Sequence, residues 1–245
     1  MATQTRPRYN NPMDLLDRLQ FFDPLDGIAV LTIALAWGLI GMAVERGIGS
    51  SPSVSVLMIE YRREWMRTFV TREPRIFDAN ILSNLRTGTT FFASACMIAI
   101  GGGLALIGNT ERLLGLAEDL SLENAPALVW DVKLLLILLF MANALLKFIW
   151  AHRLFGYCSV VMAAVPNNHT DAAFARAAQA AELNITAARS FNRGLRSIYF
   201  ALGAAAWLLG PEALIGATAL TTAVLWRREF ASQSRTILQQ QTEQP

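Results

Sequence analysis

The sequence predicts an all-α fold, a polytopic membrane helix bundle with about five spanning helices, and its long apolar segments are the main reason. Leu25–Val44 carries one acidic residue at its outer edge, and Gly88–Ile107 carries no charge. About 20 apolar residues in an α-helix cross ~30 Å of hydrocarbon. Composition agrees, because 53% of the 245 residues are hydrophobic and 16% are charged, whereas an average soluble domain has about 25% charged residues.

Later in the chain, Leu134–Ala151 is a third predicted span, and residues 195–226 form either one very long helix or two short ones. The triplet Gly210-Pro211-Glu212 favours a tight hairpin, because Gly is common just after a helix and Pro at the start of the next. Each arm has about 16 apolar residues, fewer than a full crossing usually needs. A re-entrant pair that stops inside the bilayer therefore remains an alternative to two crossings.

The distribution of basic residues predicts the orientation, since arginine and lysine favour the cytoplasmic side. With five spans, residues 45–87, residues 152–196 and the tail after Trp226 contain seven, five and three arginines, which together are 15 of the 21 Lys and Arg residues. These three segments fall on one side of the membrane. We expect the N-terminus outside and the C-terminus in the cytoplasm, although three arginines near the N-terminus then lie outside.

We expect the chain to have three parts: an extracytoplasmic N-terminal segment (residues 1–24), a single membrane domain (residues 25–230), and a flexible, Gln-rich cytoplasmic tail (residues 231–245). Two cytoplasmic helices are predicted inside the membrane domain. Residues 53–70 place apolar side chains at three- and four-residue steps, which indicates a basic amphipathic helix. Residues 171–193 are Ala-rich and contain neither Gly nor Pro, and this helix can continue into the fourth span.

The environment of the amphipathic helix stays open, because it can lie on the anionic inner leaflet or pack against the protein's own cytoplasmic helices. Asp78 is a candidate N-cap for a helix that runs into the second span, and Thr170 or Asp171 for the second cytoplasmic helix. The apolar stretch Leu154–Val165 is too short to cross a membrane. We expect it to extend the third helix into the cytoplasmic layer.

Several short strings occur in an order that is specific as a set, although each one alone is weak. They are Tyr61-Arg62-Arg63-Glu64-Trp65-Met66, Arg75-Ile76-Phe77-Asp78-Ala79, Phe91-Phe92-Ala93-Ser94, Ile100-Gly101-Gly102, Lys147-Phe148-Ile149-Trp150-Ala151-His152-Arg153-Leu154-Phe155-Gly156-Tyr157, Phe191-Asn192-Arg193-Gly194-Leu195-Arg196, Tyr199-Phe200-Ala201 and Arg227-Arg228-Glu229-Phe230. From roughly Asp26 to Phe230 the chain resembles the bacterial multi-pass membrane family catalogued as domain of unknown function five-nine-nine. The resemblance implies a bacterial inner-membrane protein and brings no established activity.

Lys147 is the leading candidate for a functional residue inside a span. It lies near the cytoplasmic end of the third span, where a charge costs less than the ~2.5–3.5 kcal/mol it costs at the bilayer centre. Glu45 is at a similar depth in the first span, and Asn143 can donate a hydrogen bond between helices. Lys147, Glu45 and Asn143 are therefore a candidate intramembrane polar site, such as an ion or proton relay. The alternative is a lysine that snorkels to the surface.

A second candidate site is a layer of charged side chains that this topology puts in the inner headgroup region. Its members are Arg63, Glu64, Asp78, Arg153, Arg193, Arg196, Arg228 and Glu229. Arginine forks bind phosphate or carboxylate through two hydrogen bonds, so the layer can bind an anionic headgroup, a phosphorylated solute or a partner protein. The alternative is an internal salt-bridge lattice, since the positive-inside rule alone predicts many arginines here.

Residues typical of catalysis and metal binding are scarce in this sequence. The two histidines, His152 and His169, and the two cysteines, Cys96 and Cys158, follow no nucleophile or zinc pattern. We therefore expect no catalytic residue, no metal and no cofactor. A net charge of +2 is too small to indicate nucleic-acid binding.

These features predict membrane lipid as a partner, and an accessory or structural subunit that binds anionic lipid or another membrane protein, or that self-associates. The alternative function is a small solute or ion transporter or channel with a polar path near Lys147. An enzyme that acts on a lipid headgroup is the weakest hypothesis, because only Glu64 with Asp78 offers an acid–base pair.

Overall fold

The structure, a computed structural model, describes residues 22–47, 51–107, 109, 115 and 126–240, and this part of the chain is helical without any strand. The helices are α1 (Pro24–Arg46), α2 (Val54–Thr71), α3 (Ile76–Ile107), α4 (Ala127–Ala163), α5 (Asp171–Ala205), α6 (Pro211–Phe230) and α7 (Gln233–Gln240). A 3₁₀ turn at Ala206–Leu209 joins α5 to α6. The predicted all-α helix bundle is therefore confirmed.

Three of these helices, α1, α3 and α4, are long and apolar enough to cross a membrane, with mean hydropathies of 2.2, 2.0 and 2.2. They contain the three segments for which the sequence predicts clear spans. At 1.5 Å rise per residue, the 37 residues of α4 extend ~55 Å, well beyond ~30 Å of hydrocarbon. The expected extension of the third span by Leu154–Val165 is seen, since α4 continues to Ala163.

Residues 195–226 form two helices rather than one. Gly210 has φ 122°, which favours glycine because other residues rarely adopt this conformation, and Pro211 begins α6. The arms return alongside each other, because a Cβ added at Gly203 would lie 3.1 Å from the Thr221 hydroxyl. The predicted hairpin turn is confirmed. Neither arm is among the three helices apolar enough to cross, so five crossings stay a prediction.

The helix starts agree only in part with the sequence. Thr170 caps α5, as its side chain accepts a hydrogen bond from the amide of Ala173. Asp78 was expected to cap α3, and this is wrong because α3 already begins at Ile76. The Asp78 carboxylate is fully buried in the first turn, where it accepts from Trp65 and Arg72 instead.

Helix α5 packs along α4 over most of its length, and this pair is the centre of the bundle. Its buried face is rich in alanine, namely Ala173, Ala177, Ala180, Ala181, Ala187 and Ala188. Small side chains let helix backbones approach closely without a large apolar driving force. Helix α3 packs on α4 and α1 packs on α6. The α4–α5 pair therefore holds the other helices in position.

Helix α2 shows one of the two arrangements left open for the amphipathic segment. Its apolar face packs into the bundle, with Met66, Phe69 and Val70 buried, and its main neighbour is α5. The side chain of Arg62 donates to the Asn184 side chain of α5. This helix therefore packs against the protein's own helices.

The C-terminal segment differs from the expected flexible tail. Gln233–Gln240 forms α7, which is held beside α2 because the Tyr61 hydroxyl donates to the Leu238 carbonyl at 3.1 Å. The Arg235 Nε donates to the Pro52 carbonyl at 3.0 Å. Residues 241–245, like most of the predicted N-terminal segment, lie outside the described residues.

The two ends of the bundle differ in their polar contacts. At one end, Trp207 donates to the Asp26 carboxylate at 2.6 Å, next to Lys133, whose ammonium group is 6.0 Å from the Trp207 ring. The other end contains Glu45, Arg193 and most of the described arginines. We call this the basic end.

Candidate functional site

At the basic end, α1, α4 and α5 line an open cavity of about 490 Å³, which we call the basic cleft. It is lined by Trp37, Gly38, Gly41, Met42, Glu45, Arg46, Asn143, Lys147, Arg189, Arg193 and Arg196. All three residues of the predicted intramembrane polar site are among them. Two members of the predicted headgroup layer, Arg193 and Arg196, share the same cavity.

Helical periodicity explains how each helix contributes one face to the cleft. Residues three or four positions apart lie on the same side of an α-helix. On α4 these are Asn143 and Lys147, and on α5 they are Arg189, Arg193 and Arg196. These short spacings therefore show, from the sequence alone, which polar side chains share a helix face. They do not show which helices face each other.

Close contact holds together α4 and α5, the helices that supply most of the polar lining of the cleft. A Cβ added at Gly194 would lie 2.7 Å from the Phe148 ring, so glycine is needed for this approach. Two hydrogen bonds cross the same interface: Ser190 donates to the Lys147 carbonyl at 2.9 Å, and the Asn143 amide donates to the Ser197 hydroxyl at 2.6 Å. The interhelical donor role predicted for Asn143 is confirmed.

Glu45 holds two arginines of α5 at the cleft. Arg193 donates through Nε to Oε1 at 2.7 Å and through Nη2 to Oε2 at 2.5 Å, and Arg196 Nη2 donates to Oε1 at 2.5 Å. Such charge-assisted forks are stronger than neutral hydrogen bonds. Glu45 and Lys147 line one cavity, as their similar depth suggests, but both carboxylate oxygens are taken by guanidinium groups.

The cleft has more positive than negative charge. Five cationic side chains, Arg46, Lys147, Arg189, Arg193 and Arg196, line it with one carboxylate, Glu45. Among the described residues, no hydrogen bond or ion pair engages the side chains of Arg46, Lys147 or Arg189. The arrangement therefore favours an anion with several acceptor oxygens.

A second cavity of about 280 Å³ adjoins the cleft, between α2, α5 and the end of α6. Glu45, Arg189 and Arg196 line both cavities. Glu229 lines the second one, and its carboxylate accepts from the Ser55 amide at 3.0 Å and the Ser55 hydroxyl at 3.1 Å. Glu229 thereby satisfies the N-terminus of α2, which is a structural role.

Other members of the predicted headgroup layer make contacts within the protein. Arg63 donates to Glu182 at 2.9 Å, and this hydrogen bond raises the pKa of Arg63. Arg228 donates to the Tyr199 hydroxyl. Arg153 donates to the Tyr157 hydroxyl at 2.7 Å. These contacts agree with the internal lattice rather than with one common pocket.

The two carboxylates offered for headgroup chemistry do not form an acid–base pair. Asp78 is fully buried, while Glu64 is exposed. Asp78 accepts from Arg72 at 2.5 Å and Trp65 at 2.7 Å through one oxygen. Within residues 22–47, 51–107 and 126–240, no group of three or more His, Cys, Asp or Glu side chains could hold a metal ion.

Sequence reasoning missed several residues at the basic end. Arg189 lies four residues before Arg193, so helical spacing alone could have added it to the cleft. Arg46 is next to Glu45 in the sequence, but its charge was used only to place residues 45–87 on the cytoplasmic side. The polar contact of His152 with Thr89, at 3.1 Å, joins α4 to α3, and no local pattern indicates it.

The helices and the cleft together define an all-α protein whose three apolar helices fit a membrane protein. The profile of a family described as "Protein of unknown function, DUF599" matches residues 28–234. The chain belongs to this family, which confirms the resemblance in the sequence. No curated protein and no solved structure matches the chain.

Proposed function

We propose that this protein is an accessory protein of the bacterial inner membrane that binds a phosphate-bearing anion in the basic cleft. The main support is the charge surplus of the cleft, where five cations surround one carboxylate. Arginine and lysine side chains are the usual phosphate ligands in proteins. Like charges held close together repel one another, so an anion bound among them would stabilise this arrangement.

The proposed orientation puts the cleft in a suitable position. With the N-terminus outside and the C-terminus in the cytoplasm, the basic end faces the anionic inner leaflet. Lys147 is then near the interface, where its charge costs less than at the bilayer centre. Both an anionic lipid headgroup and a phosphorylated solute can reach such a site.

Binding of phosphatidylglycerol to the detergent-solubilised full chain tests the proposal. We expect Lys147→Gln with Arg189→Gln to weaken binding about tenfold, which corresponds to ~1.4 kcal/mol. Added salt should weaken the wild type in the same direction. Arg227→Gln is a matched control, since Arg227 is an exposed arginine of the basic end that does not line the cleft. Equal affinities for the double variant and the control would contradict the proposal.

Transport is a second candidate function, and the adjoining cavities favour it. The Glu45–Arg196 ion pair lines both cavities, so its opening would connect them. Transport predicts that Lys147→Met abolishes flux of a phosphorylated solute into vesicles while yield and folding stay unchanged. An accessory role predicts that Lys147→Met changes no flux, and that lipid, another membrane protein or a second copy copurifies with the chain.

A further inference from the structure

The basic cleft has an apolar wall as well as a cationic one. Trp37, Gly38, Gly41 and Met42 of α1 form this wall, while the cations come from the C-terminal end of α1 and from α4 and α5. From Trp37 to Glu45 the rise along α1 is ~12 Å. The cavity therefore extends from the charged groups along a helix that is long and apolar enough to cross a membrane.

Two glycines of this wall are not explained by packing inside the chain. A Cβ added at Gly38 or Gly41 would meet nothing within 4 Å, whereas one at Gly194 would lie 2.7 Å from Phe148. Glycine inside a helix costs about 1 kcal/mol relative to alanine. Gly38 and Gly41 are one turn apart and line the cavity. Because neither has a side chain, the apolar part of the cleft is wider.

We infer that the ligand of the cleft is a phospholipid, with its phosphate at Lys147, Arg189 and Arg193 and one acyl chain against Gly38 and Gly41. This inference rests on the proposed function, and it identifies the bound anion as the headgroup of a lipid. A soluble phosphate ester matches only the cationic wall. A lipid matches both, because its chain covers apolar surface next to the site where its headgroup is neutralised.

The test compares two variants of the full chain with two probes, phosphatidylglycerol in detergent micelles and glycerol phosphate in solution. Gly38→Leu with Gly41→Leu fills the apolar wall, and the open space at both positions lets the variant fold. Gly101→Leu with Gly102→Leu is the matched control, since these glycines of α3 are equally open and lie outside the cleft. Lys147→Gln with Arg189→Gln removes the cations.

We expect wild type to bind phosphatidylglycerol at least about tenfold more tightly than glycerol phosphate. Filling the wall should remove most of this preference and leave glycerol phosphate binding and the control unchanged. If the glycine variant keeps wild-type affinity for the lipid while the cation variant loses it, the lipid inference fails and the anion proposal stands. If the glycine variant weakens the binding of both probes equally, the acyl chain does not lie against Gly38 and Gly41. If the cation variant binds both probes as tightly as wild type, both proposals fail.

Discussion

Glu45 is the residue on which the charge balance of the cleft depends. It accepts three hydrogen bonds from Arg193 and Arg196, and its side chain is 26% exposed. It stabilises the contact between α1 and α5. A phosphate-bearing ligand would compete with it for the guanidinium group of Arg193.

We expect Glu45→Gln to have opposite effects on stability and on binding. The loss of the carboxylate should lower the free energy of unfolding by ~1–2 kcal/mol, since a partly exposed pair contributes less than a buried one. Affinity for phosphatidylglycerol should rise, because the cleft gains net positive charge. Thermal unfolding and lipid titration measure the two effects. Glu64→Gln, at an exposed glutamate, is the control, and a lower affinity of Glu45→Gln would contradict the assignment.

Gly194 is the residue that lets α5 approach α4 beside the cleft. We expect Gly194→Ala to lower the free energy of unfolding by ~1–3 kcal/mol, because the new methyl group meets Phe148. That ring has little room to move, as it stacks on Phe92 with centroids 5.4 Å apart. Gly156→Ala on α4, where a Cβ meets nothing within 4 Å, should raise the free energy of unfolding by up to about 1 kcal/mol, because alanine favours the helix. Chemical unfolding in detergent measures both, and equal stability of the two variants would show that the contact is not tight.

At the scale of elements, α2 is fixed to the bundle by apolar packing and by a hydrogen bond. Its buried residues Met66, Phe69 and Val70 pack toward α5. Trp65 of α2 also donates to Asp78 of α3 at 2.7 Å. This bond connects two helices through a carboxylate that is fully buried.

We expect Trp65→Phe to loosen α2, because it leaves the buried Asp78 with one donor fewer. An unsatisfied buried acceptor costs ~1–3 kcal/mol. Hydrogen exchange of the α2 amides should therefore become faster than in wild type. Trp150→Phe is the control, since Trp150 is 47% exposed. Unchanged exchange in Trp65→Phe would mean that the bond to Asp78 does not hold α2.

The helices themselves were largely predictable, because apolar length and helical spacing are local properties. Gly210 and Pro211 correctly indicated the hairpin, and Ser53 to Val70 nearly matches α2. The N-cap at Asp78 was wrong because a long-range contact with Trp65 uses that carboxylate. The tail was expected to be flexible because its Gln-rich composition does not reveal that Tyr61 binds α7.

At the scale of the whole molecule, the direction of each helix supports a single basic end. The sequence grouped Lys147, Glu45 and Asn143, and all three line one cavity, while their role as a functional site stays a prediction. It could not show that Glu45 pairs with Arg193 and Arg196, because this contact depends on α1 lying next to α5. Nor could it separate cleft arginines from those in internal contacts, such as Arg63 and Arg228.

The topology can be tested independently of binding. Reporters fused after Asn109 and after Gln239 should lie on opposite sides of the membrane, because three of the five predicted crossings separate the two fusion sites. Reporters on one side would contradict the hairpin orientation. A cysteine at Glu212 then distinguishes two crossings from a re-entrant pair. If the hairpin crosses the membrane twice, we expect an impermeant maleimide to label the Glu212→Cys variant from outside. Both native cysteines are buried, so they should add little background labelling.

The central claim, that the basic cleft holds an anionic phospholipid, is tested most directly by native mass spectrometry of the protein released from its own membranes. We expect wild type and Arg227→Gln to carry a retained anionic phospholipid. The variant with Lys147→Gln and Arg189→Gln should be released without it. Retention of the same lipid by this variant, or no retained lipid on wild type, would contradict the claim.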